Sequence, residues 1–140
     1  MRARRGASVA SRRARPGLAA LPAVALTTAA LAGCAAPADP VATFRVGDET
    51  FRVALASPEL VEHAEALLAG EAVASIPNGV VVHGDPGPNA PWSWHIDPAT
   101  LEFADMTIEL CDGLPSFVER HEVSGDRYCP WDATLVAIER

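Results

Sequence analysis

The chain has 140 residues with 18 acidic and 11 basic side chains, a formal net charge of −7. All the basic residues are arginine and six of them lie in the first fifteen positions, so the remainder sets five arginines against all 18 acids, near −13. That balance excludes a nucleic-acid binder, which needs a basic patch to displace counterions from phosphates, and an anionic bilayer repels such a chain.

The opening carries Arg2, Arg4, Arg5, Arg12, Arg13 and Arg15 and no acid, then an apolar stretch from Leu18 to Ala32 built from Ala, Leu, Val and Thr with a single proline, Pro22. A basic start, a short apolar run and small residues before a cleavage point are the three parts of a secretory signal. The run is shorter than the roughly 20 residues a spanning helix needs. Leu31-Ala32-Gly33-Cys34 resembles the lipobox of bacterial lipoproteins, whose cysteine thiol receives a diacylglyceryl group before cleavage ahead of it. Two acyl chains suffice for stable anchoring. The expectation is removal of residues 1–33, lipidation of Cys34, and a protein held to the cell membrane on its outer face by lipid alone. An ordinary secretory signal with an incidental Cys34 is the competing reading. Ser11-Arg12-Arg13 resembles a twin-arginine signal, but Arg15 and Pro16 stand where that signal wants apolar residues, so the export route stays open.

A small proline-containing tether, residues 34–41, leads into one domain over 42–140. Thr43–Val46 and Phe51–Leu55 alternate apolar and polar residues around Gly47-Asp48-Glu49-Thr50, which predicts two strands and a turn. Ser57-Pro58-Glu59 combines a cap, a first-turn proline and a first-turn acid. Leu60, Val61, Ala64, Leu67 and Leu68 follow at helical spacing, with Glu59, Glu62, His63 and Glu65 mainly on the other side, and Gly70 ends the helix. Val80–Val82 after Pro77-Asn78-Gly79, then Trp92–Ile96 and Thr107–Cys111, are predicted as strands. In Trp92–Ile96 the indoles share a face with Ile96, and Ser93, His95 and Asp97 share the other. Pro115–His121 is a predicted short helix with Phe117 and Val118 inward, and Ala133–Ile138 closes the sheet. The fold expected is α+β: a small, largely antiparallel sheet with one well-defined helix and a second short one.

About 100 residues bury one core with little stability to spare. Cys111 and Cys129 are the two cysteines left for the domain. Outside the cytoplasm a close pair oxidises, and closing a loop of this size contributes about 3 kcal/mol in the chain-entropy picture. Metal ligation and a reactive thiol are the alternatives.

The segments Phe51–Leu68, Pro91-Trp92-Ser93-Trp94-His95-Ile96-Asp97-Pro98, Ile108–Asp112 and Cys129-Pro130-Trp131 together resemble the small domain at the N-terminus of a calmodulin-binding protein of social amoebae, which also occurs in bacterial secreted proteins. The resemblance spans about Phe51 to Ile138 and implies no catalytic role. Calmodulin binding does not carry over: calmodulin targets are basic amphipathic helices, and the helix here is acidic.

The residues with chemical potential are few. Ser93, His95 and Asp97 lie on one predicted strand face, where a histidine oriented by a carboxylate serves as a general base or the pair holds a metal. Against that, Asp97 before Pro98 caps a turn and His95 satisfies a backbone group. His83, His95, Asp97, Cys111, His121 and Cys129 offer zinc donors, but no spacing matches a tight chelating pair. A cysteine–histidine hydrolase needs a free thiol, against the disulfide expectation. Asp85 and Asn89 lack the repeating ligand pattern of a calcium loop. Trp92, Trp94 and Trp131 are either a docking platform or core. The leading expectation is a lipid-anchored, non-catalytic binding or adhesion module, without cofactor or metal, recognising a protein or carbohydrate partner; Ser93, His95, Asp97 and Trp131 are its binding candidates. One rival is a small hydrolase or metal-dependent enzyme using Ser93, His95 and Asp97. Another is an inhibitor of secreted enzymes presenting the proline-rich loop 84–91, whose pre-organisation lowers the cost of docking.

Overall fold

Strands β1 (Val41–Val46) and β2 (Glu49–Ala54) form a hairpin with Val46 opposite Glu49. The connection is thus two residues long, tighter than the four-residue turn expected, and Gly47 sits at φ +58°, a backbone region glycine enters without a Cβ penalty. Period-two alternation turns Ala42, Phe44, Val46, Phe51 and Val53 into the core. The last strand, β7 (Thr134–Glu139), pairs antiparallel with β1 on its other edge, giving the order β2-β1-β7. The computed structural model describes residues 38–140; Cys34 and the signal expected over 1–33 lie outside them.

Helix α1 (Pro58–Leu68) begins as its sequence dictates. Ser57 Oγ accepts the Leu60 N–H at 3.3 Å, Pro58 occupies the first turn, and the chain leaves through Ala69 into Gly70 at φ +81°. Ala64 is buried, with Leu60 and Val61 packed against the core. His63, expected on the solvent side, turns inward instead. Its ring stacks on Phe103 with centroids 4.4 Å apart, and its Nε2 lies 2.6 Å from the Ala74 carbonyl oxygen. Among the described residues no helix is long and apolar enough to cross a membrane.

The second sheet is organised by β3 (Ile76–His83), which spends its length on three antiparallel partners. Ile76–Asn78 pair with β5 (Glu102–Ala104), Gly79–Val80 with β6 (Arg127–Tyr128), and Val81–His83 with β4 (Trp94–Ile96). Pro77-Asn78-Gly79, expected to precede the strand, is therefore strand interior. The glycine is required by packing: a Cβ there would collide with Ile96 Cγ2. Phe44, Phe51, Trp94 and Tyr128 meet in the core, with Phe51 and Tyr128 edge-on at 5.2 Å and Trp94 and Tyr128 edge-on at 5.4 Å. Full burial of each contributes on the order of 1.5–3 kcal/mol.

Four further expectations are corrected. The strand expected over Trp92–Ile96 starts only at Trp94, because the Trp92 N–H closes a turn onto Asn89 O at 3.2 Å. Trp92 is half-buried rather than core, its Nε1 donating to Thr50 O at 2.8 Å. Thr107–Cys111 is not a strand: it is an extended stretch ending in a 3-10 turn over Glu109–Cys111, and among the described residues no strand pairs with it. The short helix α2 (Pro115–Glu119) buries Val118 but leaves Phe117 at the surface, with the Arg120 guanidinium over its ring.

Candidate functional site

The residues singled out by sequence separate into two regions. In the first, the chemistry-bearing side chains are committed to structure. His95 Nδ1 lies 2.7 Å from Asp85 O, and its ring packs over Gly87, where a Cβ would come within 3.2 Å of it. Asp97 Oδ1 accepts the Ala99 N–H at 3.0 Å, and its carbonyl accepts the Thr100 hydroxyl at 2.9 Å, capping a short 3-10 turn. The Ser93 N–H donates to Glu119 Oε2 at 2.9 Å. His95 and Asp97 share no hydrogen bond, so the base–orienter pair of a hydrolase is not assembled by this arrangement.

Asn89 is the keystone of the loop 84–91. It is fully buried, its Oδ1 accepting the Arg52 N–H at 2.7 Å and its Nδ2 donating to Trp94 O at 2.9 Å. Asp85 Oδ1 accepts the Gly87 N–H at 2.9 Å, an Asx turn. The loop is thereby fastened to β2 and β4, and no calcium-loop geometry is needed to explain either residue.

His83 and His121 face each other with ring centroids 4.1 Å apart. Partial burial, then the like charge of His121, push His83 below the ordinary histidine value. Hydrogen bonds from Ser93 hold the Glu119 carboxyl beside them low. Among the described residues no group of three or more His, Cys, Asp or Glu is arranged to hold a metal ion. A hollow of about 500 Å³ between the start of α1 and β5 is lined by Ser57, Glu59 and His63 among others. There Ser57 caps the helix and His63 is fixed by Phe103 and Ala74.

The second region is the reverse. Cys111 and Cys129 are joined as a disulfide with Cα atoms 5.1 Å apart. Hydrogen bonds fasten the chain near it. Ser124 N donates to Leu110 O at 3.1 Å and Cys129 N to Cys111 O at 2.8 Å. The Tyr128 hydroxyl donates to Gly113 O at 2.9 Å, and burial pushes that phenol's pKa up. Trp131 is pinned twice, its N–H on Asp112 Oδ1 at 2.9 Å and its Nε1 on Thr107 Oγ1 at 2.5 Å. On this frame Met106, Ile108 and Leu110 stand 85%, 66% and 63% exposed, with Trp131 at 41%.

Two hollows flank that rim, about 380 Å³ under Met106, Ile108 and Leu110 and about 150 Å³ between Met106 and Trp131. Contiguous exposed apolar side chains on a rigid frame mark an interaction surface more often than single exposed residues do.

This frame contains Ile108–Asp112 and Cys129-Pro130-Trp131, two of the segments that carry the sequence resemblance. Residues 39–140 match the family model of the BP-74 N-terminal domain. The chain belongs to that family. The family match takes in both regions, the disulfide and both sheets. No curated protein and no solved structure matches the chain. Of the rim, Trp131 is legible in the sequence as a surface candidate. Met106, Ile108 and Leu110 are not, because the alternation of the last two reads as a half-buried strand.

Proposed function

We propose that this family member is a non-catalytic binding module, carried by a bacterial lipoprotein and tethered through lipid on Cys34 to the outer face of the cell membrane. The observation that carries the binding reading is the exposed Met106–Ile108–Leu110–Trp131 rim on a disulfide-clamped frame. His95 and Asp97 support it from the other side, since each side chain has a structural partner. The anchor reading is supported by the basic start, the short apolar run and Leu31-Ala32-Gly33-Cys34. Tethering suits a binder: holding it at a surface raises the effective concentration of the rim toward neighbouring envelope components.

Two measurements test the parts separately. The intact denatured mass of membrane-extracted protein is expected to fit a chain beginning at diacylated Cys34 and to gain two hydrogens on reduction; a mass retaining residues 1–33, or lacking lipid, rejects the anchor. A photo-crosslinking residue at position 108 is expected to give a discrete adduct in intact cells, while the same residue at exposed Glu62 gives none. Equal labelling at both positions rejects the rim as the binding surface.

A further inference from the structure

We infer that the rim takes an extended polypeptide segment in which apolar side chains alternate with lysine or arginine. This rests on the binding-module reading and names its partner class. The two hollows adjoin along Met106 and Thr107, an arrangement that suits apolar anchors on alternate residues of an extended chain. Each hollow has a carboxylate at its edge, Asp126 at the larger and Asp105 at the smaller, and Glu109 and Asp132 are exposed beside Ile108 and Trp131. None of these four carboxylates is among those paired to arginine within the described residues. Arg127, the cation at the larger hollow, is committed to Glu102 at 3.0 Å and Asn78 at 2.9 Å. Apolar anchors ringed by uncompensated negative charge select a partner of opposite sign.

The same charge argues against a second copy, which would bring like carboxylates together across the contact. It also argues against an anionic bilayer. The backbone adds to the case. No backbone–backbone hydrogen bond among the described residues involves Met106 or Thr107, so this stretch beyond β5 retains groups that an added extended chain satisfies. The clamps on Leu110, Cys111 and Trp131 hold the surface in place beforehand, which lowers the ordering cost of docking.

The test uses the mature protein as the cell exports it, in phosphatidylcholine nanodiscs when it carries lipid and in buffer when it does not, so the anchor's failure leaves this test intact. The probes are short synthetic peptides alternating lysine with leucine, glutamate with leucine, and lysine with serine, with empty discs as the blank. The lysine–leucine peptide is expected to bind at least about tenfold more tightly than either control, and to weaken as salt rises from about 0.05 M to about 0.5 M. Ile108→Ser with Leu110→Ser is expected to cost at least about tenfold in affinity, and Asp105→Asn with Asp126→Asn to remove most of the salt dependence. These side chains are solvent-exposed, and an unchanged near-ultraviolet circular dichroism spectrum confirms each fold. Equal binding of the lysine–leucine and glutamate–leucine peptides overturns the proposal, as does binding unaffected by the paired substitutions. Quenching of indole emission by brominated phosphatidylcholine, abolished by Trp131→Phe, also overturns it by placing the rim on lipid.

Discussion

The loop-and-strand region around Asn89 and His95 and the rim around Ile108 and Trp131 are built on opposite plans. In the first, polar side chains that look chemical in sequence turn toward backbone groups. His95 meets Asp85, Asn89 bridges β2 and β4, and Asp97 caps its own turn. In the second, backbone and disulfide hold the chain rigid while apolar side chains, which would ordinarily build a core, stay outside. The contrast teaches that a residue's type does not mark a site until its partners are counted. A bonded histidine is spent on the fold, and an unpartnered leucine on a clamped frame remains available.

The largest expected effect strikes the frame of the rim. Cys129→Ser removes a cross-link closing a separation of 18 residues and should cost about 3 kcal/mol in chemical denaturation, with lysine–leucine peptide binding lost as the rim loosens. Next, Asn89→Ala strips one buried and one part-buried backbone group of their partner and should cost about 2–3 kcal/mol. Below the unfolding transition, peptide affinity should stay unchanged, because the loop lies in the other region. A binding loss there at full foldedness would erase the division between the two regions.

A smaller effect concerns His83. Its pKa is lowered in the folded state from the ordinary 6.5, so the unfolded chain binds the proton more readily. Its stabilising contribution is complete above pH 6.5 and is lost as pH falls through the unfolded and then the folded value. The melting temperature should decline between about pH 7.5 and 5.5, and decline less in His121→Asn, which removes the facing imidazole and keeps a side chain tolerant of φ +57°. Identical pH profiles for the two proteins would contradict the pairing. Smallest of all, Ile108→Ser should shift stability by no more than about 0.5 kcal/mol, since its side chain is already in water.

The parts of the fold legible in sequence are those with local causes. Helix α1 is announced by Ser57, Pro58 and apolar spacing, the β1–β2 hairpin by alternation about Gly47, and β7 by the apolar run Leu135–Ile138. What stays hidden depends on tertiary contact. Pro77 and Gly79 carry turn chemistry, yet both lie inside β3, where Ile96 packs into the space a Cβ at Gly79 would take. The short strands β5 and β6 have too few residues to show a period. Ile108 and Leu110 have strand-like alternation, and only the lack of a pairing strand among the described residues turns them into a surface.

The most direct test of the account compares His95→Ala with Ile108→Ser in one titration of the lysine–leucine peptide. An isotherm indistinguishable from that of the parent protein is expected for His95→Ala and a marked loss of affinity for Ile108→Ser, with both proteins folded. Loss confined to His95→Ala would contradict it and return the function to the first region.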